Sequence, residues 1–186
     1  SPHSPWSGEA LYERLGKATE YYHRHGQGAN EFIALGALCP LMEDSDERLE
    51  WMIELACSLN KREIFDDVVS RRLRSLAAES VESEMIRYGN LSYEYFGAVK
   101  QVIGILEARF RTNPSQRLAE ELELYYSIDE RDSDSYRAYM RLLQEDKSNK
   151  KARTFCLNYT TDYELWDEWL ELAEYEANCS GSEHER

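Results

Sequence analysis

Glycine and proline are scarce in this chain, at nine and four of 186 residues, and the glycines are scattered. A fold built on many tight hairpins needs both residue types, so that shortage argues against an all-β architecture. No apolar run approaches the length of about 20 residues that crosses a bilayer, which leaves no candidate membrane-spanning helix. The opening SPHSPWSGEA has neither a basic nor an apolar stretch, so it is not read as a signal peptide. Only four cysteines occur, Cys39, Cys57, Cys156 and Cys179, and their spacings match no zinc ribbon and no Cys-x-x-Cys motif. They are expected to be reduced structural thiols in a nuclear or cytoplasmic protein. Phosphate-cradling Gly-x-x-x-x-Gly-Lys, His-Glu-x-x-His and Gly-x-Ser-x-Gly are all missing. His23 and His25 lie two apart, on different faces of a helix, and no acidic or cysteine cluster accompanies them. The expectation is a protein without catalysis, cofactor or metal.

Basic charge is in deficit. The chain carries 22 Lys and Arg against 36 Asp and Glu, a formal charge of -14. The imbalance is uneven: residues 160–186 hold nine acidic residues and one basic one. A broad basic face for nucleic acid is therefore not expected. Two basic patches stand out. One is Arg71, Arg72 and Arg74, a candidate docking point for an acidic peptide or phosphate. The other is Lys147, Lys150, Lys151 and Arg153, placed to face the acidic end of the chain.

What the chain does have is helical periodicity almost throughout. Leu11, Leu15, Ala18 and Tyr22 form one stripe, and Leu49, Met52, Ile53, Ala56 and Leu59 another. Asn60-x-x-Glu63 reads as a capping box opening a helix with Ile64, Val68, Val69, Leu73 and Leu76 inward. A short helix over 80–88 is expected to stop at Gly89-Asn90. A long one over 92–111 follows, with Tyr95, Phe96, Val99, Ile103, Leu106 and Phe110 inward. Asn113-Pro114-x-Gln116 marks the next start, with Asn113 as cap. Helices over 134–145 and 149–159 come next. Thr161-x-x-Glu164 then reads as a capping box for the helix that carries Trp166 and Trp169. About ten helices with short links predict an all-α array of antiparallel helical hairpins, read as one domain over 1–186 with loose ends at 1–8 and 180–186.

Residues 134–176 carry a resemblance. Tyr136 and Tyr139 form an aromatic pair on one helix; Ala152, Arg153 and Phe155 open the next; Trp166 and Trp169, with Glu174 after them, repeat the pair. This stretch resembles half-a-TPR (HAT) repeats, with ordinary TPR repeats as the related alternative. The resemblance implies a scaffold that binds other proteins, often within an RNA-processing complex. The partner is then expected to be an extended or helical protein segment held in a groove between helices. Trp166 and Trp169 share a face with Leu165, Leu172 and Ala173, so they are expected to pack on the helix over 149–159, or else to anchor a partner. Glu168 and Glu171 lie on the acidic remainder and are the candidate polar contacts. A different class, an acidic inhibitor or chaperone that covers a basic partner, would use the same carboxylates.

Overall fold

The computed structural model describes residues 8–38 and 46–183. Among these residues there are ten helices and no strand. The chain divides into two compact units, Ser1–Gly97 and Ala98–Arg186. The first holds α1 (Gly8–Arg24), α2 (Gly28–Leu38), α3 (Asp46–Ser58), α4 (Arg62–Ser75) and α5 (Ala78–Phe96). The second holds α6 (Val99–Thr112), α7 (Gln116–Ile128), α8 (Asp132–Glu145), α9 (Lys150–Asp162) and α10 (Trp166–Glu183). Pro40, Cys39 and the terminal residues 1–7 and 184–186 lie outside the described residues; of the expected loose ends, Gly8 opens α1 and α10 runs through Glu183.

Four helix-to-helix links use one turn. After α3, Asn60 takes φ 54°, its N–H bonds to the Cys57 carbonyl, and the Lys61 N–H reaches back to the Ala56 carbonyl. The same pair of bonds closes α1 at Gly26, α7 at Glu130 and α9 at Glu164, with φ of 63°, 57° and 56°. This is the left-handed C-terminal cap that satisfies the last helical carbonyls while turning the chain. One further residue then leads into the next helix. The step along the chain from Gly26 to Asn60 equals the step from Glu130 to Glu164. Both match the period of about 34 residues that marks tetratricopeptide-type helical hairpins.

Several expected boundaries move. Asn60 and Glu164 end helices in the left-handed region, so neither expected capping box forms. Lys61 stands at the cap position of α4 without a side-chain bond, and Thr161 lies inside α9, its hydroxyl donating to the Leu157 carbonyl. Asn113 closes α6, whereas Ser115 caps α7 by accepting from the Leu118 N–H. Gly89-Asn90 does not stop a helix. α5 runs through both and ends at Gly97, which has φ 63° and two cap bonds to Ser92 and Tyr93 carbonyls. A mid-helix glycine costs only about 1 kcal/mol, and Ile86, Tyr88 and Ser92 hold that turn against the core. Tyr95, shifted to the last turn of α5, is exposed.

In the first unit, α1 packs on α2 and α3 on α4, with α5 laid against both α3 and α4. Leu35, Leu49, Met52, Ile53, Ala56, Phe65 and Tyr88 form the core. Phe65 and Phe96 meet at 5.2 Å between ring centroids. Glu31 is buried, and it accepts from the Trp51 indole at 2.6 Å while lying 2.9 Å from Nδ1 of His23. His25 instead stacks on Tyr21 and contacts its carbonyl.

In the second unit, each helix packs on the next from α6 to α10. Val102, Ile103, Leu106, Leu118, Leu122, Tyr125 and Tyr139 are its most enclosed large side chains. Tyr139 stacks on Phe155 at 4.3 Å and donates its hydroxyl to Glu123 at 2.5 Å. Burial first, then that bond, pushes the phenol well above its ordinary pKa. Cys156 is buried and its thiol is pushed up to about 12, and Cys57 is pushed up to about 11 by burial. Burial thus disfavours the thiolate at both positions. Removing one hydroxyl tests this packing. Tyr139→Phe keeps the ring and strands a carboxylate, so it should lower stability by about 1.5 kcal/mol in urea unfolding; an unchanged midpoint would show that the Glu123 contact contributes nothing.

Candidate binding groove on the second unit

Among the described residues, one cleft brings together several of those singled out from the sequence. It lies between α8 and α10, with Arg153 of α9 at its base, and has a volume of about 470 Å³. Met140, Leu143, Leu172 and Tyr175 supply apolar wall; Glu168, Glu171 and Glu174 stand on the α10 side and Lys147 on the α8 side. The walls arise from helical spacing. Glu168, Leu172 and Tyr175 follow at i, i+4 and i+7, so one face of α10 alternates carboxylate and apolar surface.

Arg153 fixes the base. It is 7% exposed, and its guanidinium donates to Glu176 at 2.7 Å and lies 4.6 Å over the Tyr175 ring. A buried, paired guanidinium beside an aromatic face is a strong joint between two helices. Its Nε finds no acceptor among the described residues. Tyr136, on the neighbouring turn of α8, has its phenol pKa raised, by burial first and then by Cys156 and Glu168 among the groups around it. Glu168, Glu171 and Glu174 make no ion pair among the described residues. The groove therefore keeps three carboxylates outside any ion pair next to apolar surface, with Lys147 on the opposite wall.

The basic residues expected to oppose this acidic helix divide. Arg153 and Lys147 reach the groove, but Lys150 and Lys151 line a separate hollow with Gln116, Asp146 and Asn149. They sit at the start of α9, after its cap residue Asn149.

The two tryptophans part company as well. Trp169 is half-buried, whereas Trp166 is 53% exposed. Their rings meet edge to face at 6.3 Å. Because α9 extends to Asp162 and the turn occupies Tyr163 to Leu165, α10 begins at Trp166 itself. Its ring therefore projects from the first turn, beyond the reach of α9.

Within the arginine cluster of α4, Arg72 serves the fold of the first unit. Arg72 is mostly buried and bonds Asp46 at 3.0 Å and Glu50 at 3.3 Å. Glu50 also accepts from Arg87 at 2.7 Å and from the Tyr88 hydroxyl. Burial raises the Glu50 pKa, but the bonds from Arg87, Tyr88 and Arg72 outweigh it and hold the carboxyl below its ordinary value. Arg71 is half-buried and Arg74 is exposed on the last turn. Sequence reasoning missed this joint because Glu50 and Arg87 lie far apart in the chain and belong to no motif.

Among the described residues, no group of three or more His, Cys, Asp or Glu is arranged to hold a metal, and no described helix is long and apolar enough to cross a membrane.

No family model matches the chain, and no curated protein matches it either. Two solved structures overlap it loosely. One, titled "MamA RS-1 ArsTM double mutant", shares 16% identity at a TM-score of 0.46, covering 89% of this chain and 96% of its own. Another, "MamA 41-end from Desulfovibrio magneticus RS-1", shares 16% identity at 0.45, covering 95% and 97%. At that overlap the likeness carries no meaning for activity or partners.

The unequal burial of the tryptophans has a measurable consequence. Trp169→Ala should cost about 2 kcal/mol, less than a fully enclosed aromatic, because part of its surface is already in water. Trp166→Ala should stay within about 0.5 kcal/mol. Equal losses in thermal unfolding would contradict this placement.

Proposed function

We propose that the protein is a non-catalytic helical scaffold whose α8–α10 groove takes a segment of another protein. The observation that carries this reading is the combination of an apolar-walled cleft of about 470 Å³ with carboxylates that form no ion pair among the described residues. Desolvated apolar wall supplies affinity, and charge at the rim supplies orientation and speed of encounter. The fitting segment, extended or helical, carries one or two apolar anchors for Met140, Leu143 and Leu172 and Lys or Arg for Glu168 and Glu171. The HAT-like stretch over 134–176 supports an assembly role, with an RNA-processing complex in the nucleus or cytoplasm as its setting.

The acidic surface supports a second reading, in which the chain covers a basic partner mainly through charge. Salt separates the two. We expect capture of a partner from native extract, with binding that largely survives high salt. Glu168→Lys combined with Glu171→Lys, both exposed, should leave the circular dichroism unchanged and weaken binding about tenfold at low salt. Binding that vanishes in high salt would favour the charge-covering inhibitor. Unchanged affinity in the double variant would remove the groove as the site.

A further inference from the structure

The groove uses one face of α10, but another face of the same helix is also uncovered. Trp166, Leu170, Ala173 and Ala177 follow at i, i+4, i+7 and i+11 and so form one stripe. Trp166 and Leu170 are 53% and 54% exposed, and Ala177 is exposed too. Trp169 braces the Trp166 ring edge to face at 6.3 Å, which holds that ring on the stripe. Ala173 and Ala177 make the second half of the stripe low, so a backbone can come close there. Asp167 and Glu174, two turns apart, run along one edge and make no ion pair among the described residues. On the other edge Glu176 is already taken by Arg153.

We infer that this stripe is a docking surface for an amphipathic helix of another protein, one with a line of apolar side chains bordered along one edge by Lys or Arg. Three features argue for that occupant. A helix is what covers an adjacent helix elsewhere in this unit, where every helix packs on the next. The large-then-small order of Trp166, Leu170, Ala173 and Ala177 gives a ridge and a shallow seat, the relief into which a second helix packs. The edge charge selects the basic partner. A second copy of this chain fits badly, because residues 166–183 contain no Lys or Arg, and two such helices face to face would set carboxylate against carboxylate. The stripe lies on a different face of α10 from the α8–α10 groove and shares only Glu174 with it, so the Trp166 and Leu170 changes, which leave the groove lining intact, tell the two apart.

Calorimetric titration of the full chain tests this with three synthetic helical peptides, each about five turns long. One carries a leucine stripe with lysines along one edge, one the same stripe with glutamates, and one the lysine composition scrambled. The lysine peptide should bind saturably, with the glutamate and scrambled peptides at least about tenfold weaker. Trp166→Ser with Leu170→Ser should lose about tenfold for the lysine peptide without change in circular dichroism. Asp167→Lys with Glu174→Lys should reverse the preference toward the glutamate peptide. Equal binding of the scrambled peptide, no saturable binding, or a preference untouched by the charge reversal would overturn the inference. So would a dimer in sedimentation that Trp166→Ser with Leu170→Ser abolishes, since the occupant would then be a second copy of this chain.

Discussion

One turn governs this architecture. At Gly26, Asn60, Glu130 and Glu164 a helix ends in the left-handed region, two backbone N–H groups reach back to its last carbonyls, and the next helix starts two positions later. A helix end carries four carbonyls without partners, and leaving them unmet inside a packed array is expensive. The cap answers them and reverses the chain in one step. Each reversal puts two short helices side by side, where their apolar stripes face one another. Helices of 11 to 19 residues are marginal alone, so the pairing that the turn imposes is what makes them stable.

Within each unit, polar joints give the packing its register. Tyr88 on Glu50, Tyr126 on Glu107 and Tyr139 on Glu123 each set a buried ring against a carboxylate of a neighbouring helix. Arg131 lies over Tyr126 and bonds both Glu107 and Asp134, much as Arg153 lies over Tyr175 and bonds Glu176. Leucine and isoleucine tolerate sliding; a phenol that must find its carboxylate does not. The carboxylates of α10 that line the groove lack such partners, and that difference separates charge used to build the fold from charge left available.

Much of the fold was legible in the letters. Stripes such as Leu49, Met52, Ile53 and Ala56, or Leu118, Leu122 and Tyr125, mark buried faces directly, and the helix count follows from them. Boundaries were harder, for two physical reasons. Glycine inside a helix is only mildly costly, so Gly89 was no stop and Gly97 was. The residues Asn60-x-x-Glu63 and Thr161-x-x-Glu164 have capping-box chemistry, but a cap depends on backbone angles that the letters do not encode. A glutamate at φ near 56° is invisible in a sequence, and with it the regular spacing of the turns. The groove was half legible. Glu168 and Glu171 were visible as unrelieved charge, but their apolar neighbours Met140 and Leu143 come from α8, two helices earlier in the chain.

The repeated turn is the claim on which the rest depends, and it can be tested where the sequence disguises it most. Glu130 and Glu164 hold positive φ, a conformation natural to glycine and costly for a side-chain-bearing residue. Thermal and urea unfolding of Glu130→Gly, Glu164→Gly and the double variant measures this. Each single change should stabilise the protein by about 0.5–1 kcal/mol, and the two should add. A loss of about 1 kcal/mol at either position, the cost of glycine inside a helix, would mean that the chain continues as helix there and that the hairpins are not built as described.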